Sequence, residues 1–297
     1  MNTLLLKGKP VSEALRSQLQ SRVSELALRG IIPKLAAILV GDDPASQVYV
    51  RNKGIAFDRL NCRSQTYNLS DDTDERDILD LIDELNHDMD VHGILVQLPL
   101  PQHMDSQKIL HLVSPEKDVD GFHPYNLGSL LEGNPTFIPC TPNGILEILK
   151  YYNIPVAGRH AVIVGRSNIV GKPMFALLAQ KFENGNATVS ICHTGTKNLT
   201  TYTRMADIII AAIGCPEMIK GDMVREGVDI IDVGINRVND DSQKGYCLVG
   251  DVHTESVIGI ANSVTPVPGG VGPMTITMLL FNTVVSAERC HKLEIAV

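Results

Sequence analysis

Short, almost wholly apolar runs recur along this chain, and each gives way within a few residues to a stretch with helical spacing. The runs Leu35-Ala36-Ala37-Ile38-Leu39-Val40, Gly93-Ile94-Leu95-Val96-Gln97-Leu98 and His160-Ala161-Val162-Ile163-Val164-Gly165 are too short for helices. They also lack the polar alternation of a half-exposed strand. Runs of this kind are strands buried on both faces, and strands separated by helices build parallel sheets with covered faces. Further strands are expected at Ser64–Leu69, Ala187–Ile191, Asp207–Ala211 and Val228–Val233. Helices are expected at Val11–Leu28, Asp74–Asn86, Asn143–Tyr152 and from Met274 to about Glu288. The first carries Leu15, Leu19, Val23 and Leu26 on one face and stops at Gly30, a natural C′ residue. Asp43 and Pro44 read as the N-cap and first residue of another helix. Between Pro101 and Gly121 the rhythm loosens, and no regular element is assigned there.

A chain of 297 residues exceeds what one core usually supports. Two α/β domains are expected, 1–139 joined by the C-terminal helix 273–297, and a Rossmann-like dinucleotide-binding domain at 140–272. Hydrophobic content of 44% with 20% charged residues is that of a soluble globular protein. A net charge of -8 argues against a nucleic-acid partner, which needs a basic footprint. No apolar run approaches the roughly 18 residues of a membrane span, and the N-terminus lacks a signal-peptide pattern. The expected location is the cytoplasm. Cys62, Cys140, Cys192, Cys215, Cys247 and Cys290 are scattered without metal-ligand spacing, so reduced thiols and no metal are expected.

Val162 to Pro173 reads as strand, glycine turn and helix start, with Gly165, Arg166 and Ser167 at the turn. A helix N-terminus behind a tight turn offers free N–H groups to a pyrophosphate. The spelling departs from G-x-G-x-x-G, and the turn alone fits an ordinary strand-to-helix connection equally well. The next strand tips the balance. An NAD site usually carries an acidic residue there for the ribose 2′-hydroxyl. Ala187 to Lys197 has none, offering hydroxyls, His193 and Lys197 instead, with Arg166 as a partner for a 2′-phosphate. NADP is therefore favoured over NAD.

In the first half, Ser46, Tyr49 and Lys53 share one face of the helix that Pro44 opens, just past the end of an apolar strand. Open α/β sheets bind ligands at that edge. Gln97 lies near the end of another such strand, and Asp118 and Asp120 sit in a glycine-punctuated loop soon after. An amine, an amide and a carboxylate converging there make an acid–base site, and partial desolvation would lower the lysine pKa towards neutrality. Singly, each has a plain reading: a solvated lysine, a satisfied core amide, a loop cap. Spacing alone does not identify a substrate.

Taken together, the motifs resemble the bifunctional methylenetetrahydrofolate dehydrogenase/cyclohydrolases over essentially the whole chain. The resemblance rests on Val40–Ser46 running into Tyr49–Lys53, on Gly93–Pro101, Pro115–Gly121 and Pro139–Pro142, on Gly165-Arg166-Ser167, and on Thr265–Thr275. It implies Lys53, Gln97 and Asp120 as catalytic residues: Lys53 as the acid–base group of the cyclohydrolase step, Gln97 tuning it, Asp120 holding the pterin. It implies Tyr49 stacking on the folate, further substrate contacts at Val96, Leu98, Pro268, Gly269 and Gly270, and nucleotide contacts at Gly165, Arg166, Ser167, Thr194 and Ile235. It also implies an active-site cleft between the domains, a homodimer, and a tetrahydrofolate derivative as substrate, placing the chain in one-carbon metabolism that supplies purine biosynthesis. Two rivals are another two-domain NADP oxidoreductase and a nucleotide-binding module without catalysis. Thiol chemistry at Cys192-His193 is disfavoured, because neighbours on a strand face opposite ways.

Overall fold

The computed structural model describes residues 2–240 and 245–292. In chain order its elements are β1 (Leu4–Leu5), α1 (Gly8–Leu28), β2 (Lys34–Val40), α2 (Pro44–Asp58), β3 (Arg63–Leu69), α3 (Glu75–His87) and β4 (Gly93–Val96). Then come α4 (Ser106–Leu112), α5 (Pro124–Glu132), α6 (Cys140–Tyr151), β5 (His160–Val164), α7 (Gly171–Ala179), β6 (Thr188–Cys192), α8 (Leu199–Met205) and β7 (Ile208–Ala211). The last are β8 (Asp229–Asp232), β9 (Asn236–Asn239), β10 (Tyr246–Val249), α9 (Thr254–Val257), β11 (Ser263–Val264) and α10 (Gly272–Cys290).

The chain forms two compact units. One comprises Ala14–Cys140 with Ile276–Val297, the other Met1–Glu13 with Thr141–Thr275. The first is built on a parallel sheet in the order β3-β2-β4. Along β2 successive side chains serve opposite cores. Leu35, Ala37 and Leu39 pack with Leu19, Val23, Phe57 and Leu280, whereas Ala36, Ile38 and Val40 pack with Ile78, Ile82 and Ile109. Period-two alternation is thus present, but both faces are apolar because helices cover each. The α2 start is as the sequence suggests: Asp43 accepts the Ser46 N–H at 2.7 Å and Pro44 occupies the first turn. Helix α1 is followed by Gly30 at φ 76°.

The second unit carries a six-stranded parallel sheet, β1-β11-β8-β7-β5-β6. From β5 the chain moves one way to β6 and then back across to β7, so a topological switch lies between β5 and β7. Such switches open a crevice at the strands' C-terminal ends. In the first unit the analogous switch lies between β2 and β4. The structure adds elements that the sequence does not announce: the edge strand β1, the antiparallel β9–β10 hairpin, and the short helices α4, α5 and α8.

Within the first unit, α1 and α10 are tied by Arg22, whose guanidinium meets Glu288 through both carboxylate oxygens, Nε at 2.9 Å and Nη2 at 2.5 Å. The same guanidinium lies over the Phe281 ring. Removing one member of such a largely buried pair leaves the other charge uncompensated. Arg22→Met should therefore destabilise the protein by about 3 kcal/mol, measured as a lower urea midpoint at unchanged slope.

Candidate active site

At the β2/β4 switch the chain brings together the groups that its sequence left far apart. Lys53 is the tenth residue of α2 and is only 8% exposed. Its Nζ donates to Gln97 Oε1 at 3.1 Å. Gln97 begins just beyond β4, where its own N–H still pairs with the Ile38 carbonyl at 2.9 Å. The Gln97 side-chain Nε2 donates to the Leu98 carbonyl at 2.8 Å, which leaves the oxygen to face the ammonium. Asp120 completes the cluster. Burial raises its pKa, while the Lys53 charge and a hydrogen bond from the Cys140 thiol pull the other way. Tyr49, one turn before Lys53, leaves 44% of its surface exposed beside the cluster. Val96 is packed into the core, so only its backbone can meet a ligand, and Leu98 is half-buried.

The loop that carries Asp120 is held by a carboxylate of its own. Asp118 is buried and accepts the N–H groups of Phe122 (3.1 Å) and His123 (2.8 Å) and the Asn126 amide (2.8 Å). Gly121 follows at φ 77°, where a Cβ would lie 2.8 Å from the Pro139 nitrogen, so the turn admits no side chain. His123, given no role from sequence, caps α5 by accepting the Tyr125 N–H at 3.1 Å. Cys140 is buried and its thiol is pushed well up by burial and by Asp120, so it is a packed donor and not a nucleophile. Asn282 on α10 donates to the Val119 carbonyl at 2.8 Å and the Ile138 carbonyl at 3.1 Å, fixing the backbone on either side.

In the second unit Gly165 ends β5 at φ 128°, and a Cβ there would sit 2.0 Å from the Ala212 carbonyl oxygen. A Cβ on Gly171 would meet the Gly165 oxygen at 2.2 Å. Strand, turn and α7 are therefore packed closer than any side chain permits, the cradle that a dinucleotide pyrophosphate needs. Just ahead of α7, Ser167 Oγ accepts the Val170 N–H at 3.1 Å. Arg166 and Thr194 are exposed at the ends of β5 and β6. Ile235, 46% exposed, follows β8, with its Cδ1 3.7 Å from where a Gly272 Cβ would be. Pro268, Gly269 and Gly270 also belong to this unit. Their loop is anchored by the Gly8 N–H donating to the Gly269 carbonyl at 2.9 Å.

Two buried aspartates that the sequence reading passed over knit this edge together. Asp251 accepts four donors: the N–H groups of Ile213 (2.6 Å), Gly214 (3.0 Å) and Cys215 (3.0 Å), and the Asn236 amide (2.9 Å). Asp232 accepts the N–H groups of Gly234, Asp251 and Val252, and its own N–H donates to Thr265 Oγ1. The two carboxylates thus join the loops after β7, β8 and β10, and the Asp232 main chain adds Thr265 after β11. The signal lies in the glycines beside them: a Cβ on Gly234 would strike the Asp251 carboxylate at 2.3 Å, and one on Gly250 the Asp232 carboxylate at 1.8 Å.

Comparison with known proteins accounts for both units. Residues 6–120 match the family model of the tetrahydrofolate dehydrogenase/cyclohydrolase catalytic domain, and residues 139–291 match that of its NAD(P)-binding domain. The chain is 53% identical over 295 residues to the bifunctional protein FolD of Chlorobium limicola, covering 98% of this chain and 100% of that one. The crystal structure of a Campylobacter jejuni bifunctional methylenetetrahydrofolate dehydrogenase/cyclohydrolase superposes with a TM-score of 0.91 at 49% identity, covering 97% and 99% of the two chains. A Trypanosoma brucei enzyme complexed with NADP cofactor and inhibitor gives a TM-score of 0.91 at 35% identity, covering 97% and 98%.

The geometry makes two predictions. Asp251→Asn turns one accepting oxygen into a donor facing backbone N–H groups, which should weaken dinucleotide binding about tenfold or more. A fluorescence titration of the cofactor reads this directly, and the folate KM should move far less. The Asp118 carboxyl, raised by burial to about 6, should show that midpoint in a carbon-13 titration. Its contribution to stability is full below the unfolded pKa near 4 and is lost as pH rises through about 6.

Proposed function

The chain belongs to the tetrahydrofolate dehydrogenase/cyclohydrolase family, and on that footing we propose that it oxidises 5,10-methylenetetrahydrofolate with NADP and hydrolyses the product to 10-formyltetrahydrofolate. The observation that carries this reading is the buried Lys53 ammonium bonded to Gln97 at 3.1 Å beside Asp120. The folate is assigned to the unit Ala14–Cys140 with Ile276–Val297, and the dinucleotide to the unit that contains Gly165.

NADP supplies the hydride acceptor of the first step. The methylene carbon of the substrate gives up a hydride and becomes part of a conjugated methenyl cation, so no proton moves at that carbon. What the protein must do is orient the pterin, with Tyr49 offering an aromatic face and Asp120 a carboxylate for the pterin's N–H groups. In the second step water adds to the cation and the five-membered ring opens to the formyl product. A proton leaves the attacking water and one must reach the departing ring nitrogen, and in this reading Lys53 Nζ carries it. Gln97 can only accept from that amine, because its Nε2 is committed to Leu98. The amide therefore points the Lys53 N–H bonds without competing for its proton.

NADP is preferred over NAD in this reading because β6 and the turn behind it carry no carboxylate to meet a ribose hydroxyl. Thr194 is exposed there, and Arg166 is exposed with no ion pair among the described residues. The resemblance to the family further supports a cytoplasmic homodimer whose product feeds purine biosynthesis. Among the described residues no helix is long and apolar enough to cross a membrane.

Lys53→Met should lower methenyltetrahydrofolate hydrolysis by on the order of 10² or more, followed as loss of the methenyl absorbance. NADPH formation from methylenetetrahydrofolate should suffer much less. Hydrolysis at the parent rate would refute the role given to Lys53.

A further inference from the structure

Lys53 and Gln97 occupy the C-terminal end of the three-stranded sheet. At the other end of β4, five residues and so roughly 16 Å along the strand, lies a cavity of about 650 Å³ bordered by His92, Lys117, Tyr125, Thr136 and Arg289. That volume lies within the usual range for small-molecule sites. None of these residues belongs to the cluster around Lys53.

His92 defines what the cavity lacks. The imidazole is 4% exposed, and its Nδ1 accepts the backbone N–H of Lys34 at 3.2 Å. Burial, with help from His291 and Lys117, pushes its pKa down to about 4, so the ring is neutral near pH 7. A neutral imidazole whose Nδ1 accepts must carry its one proton on Nε2. That N–H has no hydrogen-bond partner among the described residues. Buried donors are nearly always satisfied, so a group that met this one would be an acceptor.

The surrounding charges say which kind. Lys117 Nζ spends two protons on the Leu85 and Asp88 carbonyls, at 2.9 and 2.6 Å, and keeps a third. Arg289 gives its Nη1 to the Thr136 carbonyl, lies over the Phe137 ring, and retains the rest of its donor fork. No ion pair holds either cation among the described residues. Of the nearby carboxylates, Glu288 is held by Arg22, and Asp88 lies 3.9 Å from Lys34. Asp90 acts on His92 only through space, which leaves Glu116 as the one carboxylate on the lining. Asp88 and Glu116 act on Lys117 and Glu288 on Arg289 through space, yet on the lining itself two cations and an unmet N–H face one carboxylate.

We propose that this cavity is a second ligand site, for a small organic molecule bearing a phosphate or carboxylate group, with Arg289 and Lys117 holding the oxyanion and His92 Nε2–H completing its shell. The planar fork of Arg289 suits either oxyanion.

The test uses the full chain with NADP at saturation, so that the phosphate-seeking groups near Arg166 are occupied. Inorganic phosphate and malonate are titrated separately, by calorimetry and by the nitrogen-15 resonances of the His92 ring. Saturable millimolar binding of at least one probe is expected, with a shift of the His92 Nε2 signal. Binding of phosphate alone would assign a phosphorylated ligand, and of malonate alone a carboxylate. Arg289→Gln should weaken binding tenfold or more, and Arg289→Lys, which keeps the charge without the fork, should fall between. The idea is overturned if neither probe binds saturably, if His92 does not respond, or if correctly folded Arg289→Gln binds as the parent does.

Discussion

Buried carboxylates do for the loops of this protein what ladder hydrogen bonds do for its sheets. Every loop beyond the end of a parallel strand carries backbone N–H groups that no neighbouring strand can meet, and burying them unmet is costly. Asp118, Asp232 and Asp251 supply the acceptors, meeting two, three and three main-chain donors respectively. Burial raises the pKa of Asp118 and of Asp232, each to about 6, in spite of those hydrogen bonds. Desolvation is the larger effect at both positions. The chain keeps these carboxylates in spite of that desolvation, and in return the loops beyond the strand ends have their main-chain donors met.

The two units reach such an edge by the same route. In each, the chain reverses direction across its sheet, and the candidate site groups lie just beyond the paired strands on either side of the reversal. Lys53 comes from the helix after β2 and Gln97 from the end of β4. Gly165 follows β5, and the Ala212–Cys215 loop follows β7. Among the described residues no group of three or more His, Cys, Asp or Glu side chains could hold a metal ion.

Much of this was legible in the sequence because the strongest signals are strictly local. The apolar runs at 35–40, 93–98 and 160–165 became β2, β4 and β5, and the Asp43-Pro44 start of α2 came out to the residue. Lys53 and Gln97 could be singled out only together: each is ordinary alone, but a helix face carrying Tyr49 and Lys53 just past one strand end and an amide near the end of another fall at one sheet edge, within motifs that resemble a known family. What escaped was structure without a run. The strand Asn236–Asn239 has a single apolar residue, Val238, and is exposed on alternate residues, and α4 is only seven residues long. The carboxylate pegs escaped for a different reason. An aspartate in a glycine-rich loop looks like any turn residue until the backbone donors around it are seen, and those of Asp251 come from more than 30 residues away.

The orientation of the Gln97 amide has one more consequence. With Nε2 pinned to the Leu98 carbonyl, a half-turn of the amide would set oxygen against oxygen at one end and two donors against each other at the other. The peptide group that closes the strand thus sets the direction in which polarity runs towards the amine, and rotation of a single side chain cannot reverse it. The order of the centre is written in main chain, which substitutions at neighbouring side chains leave standing.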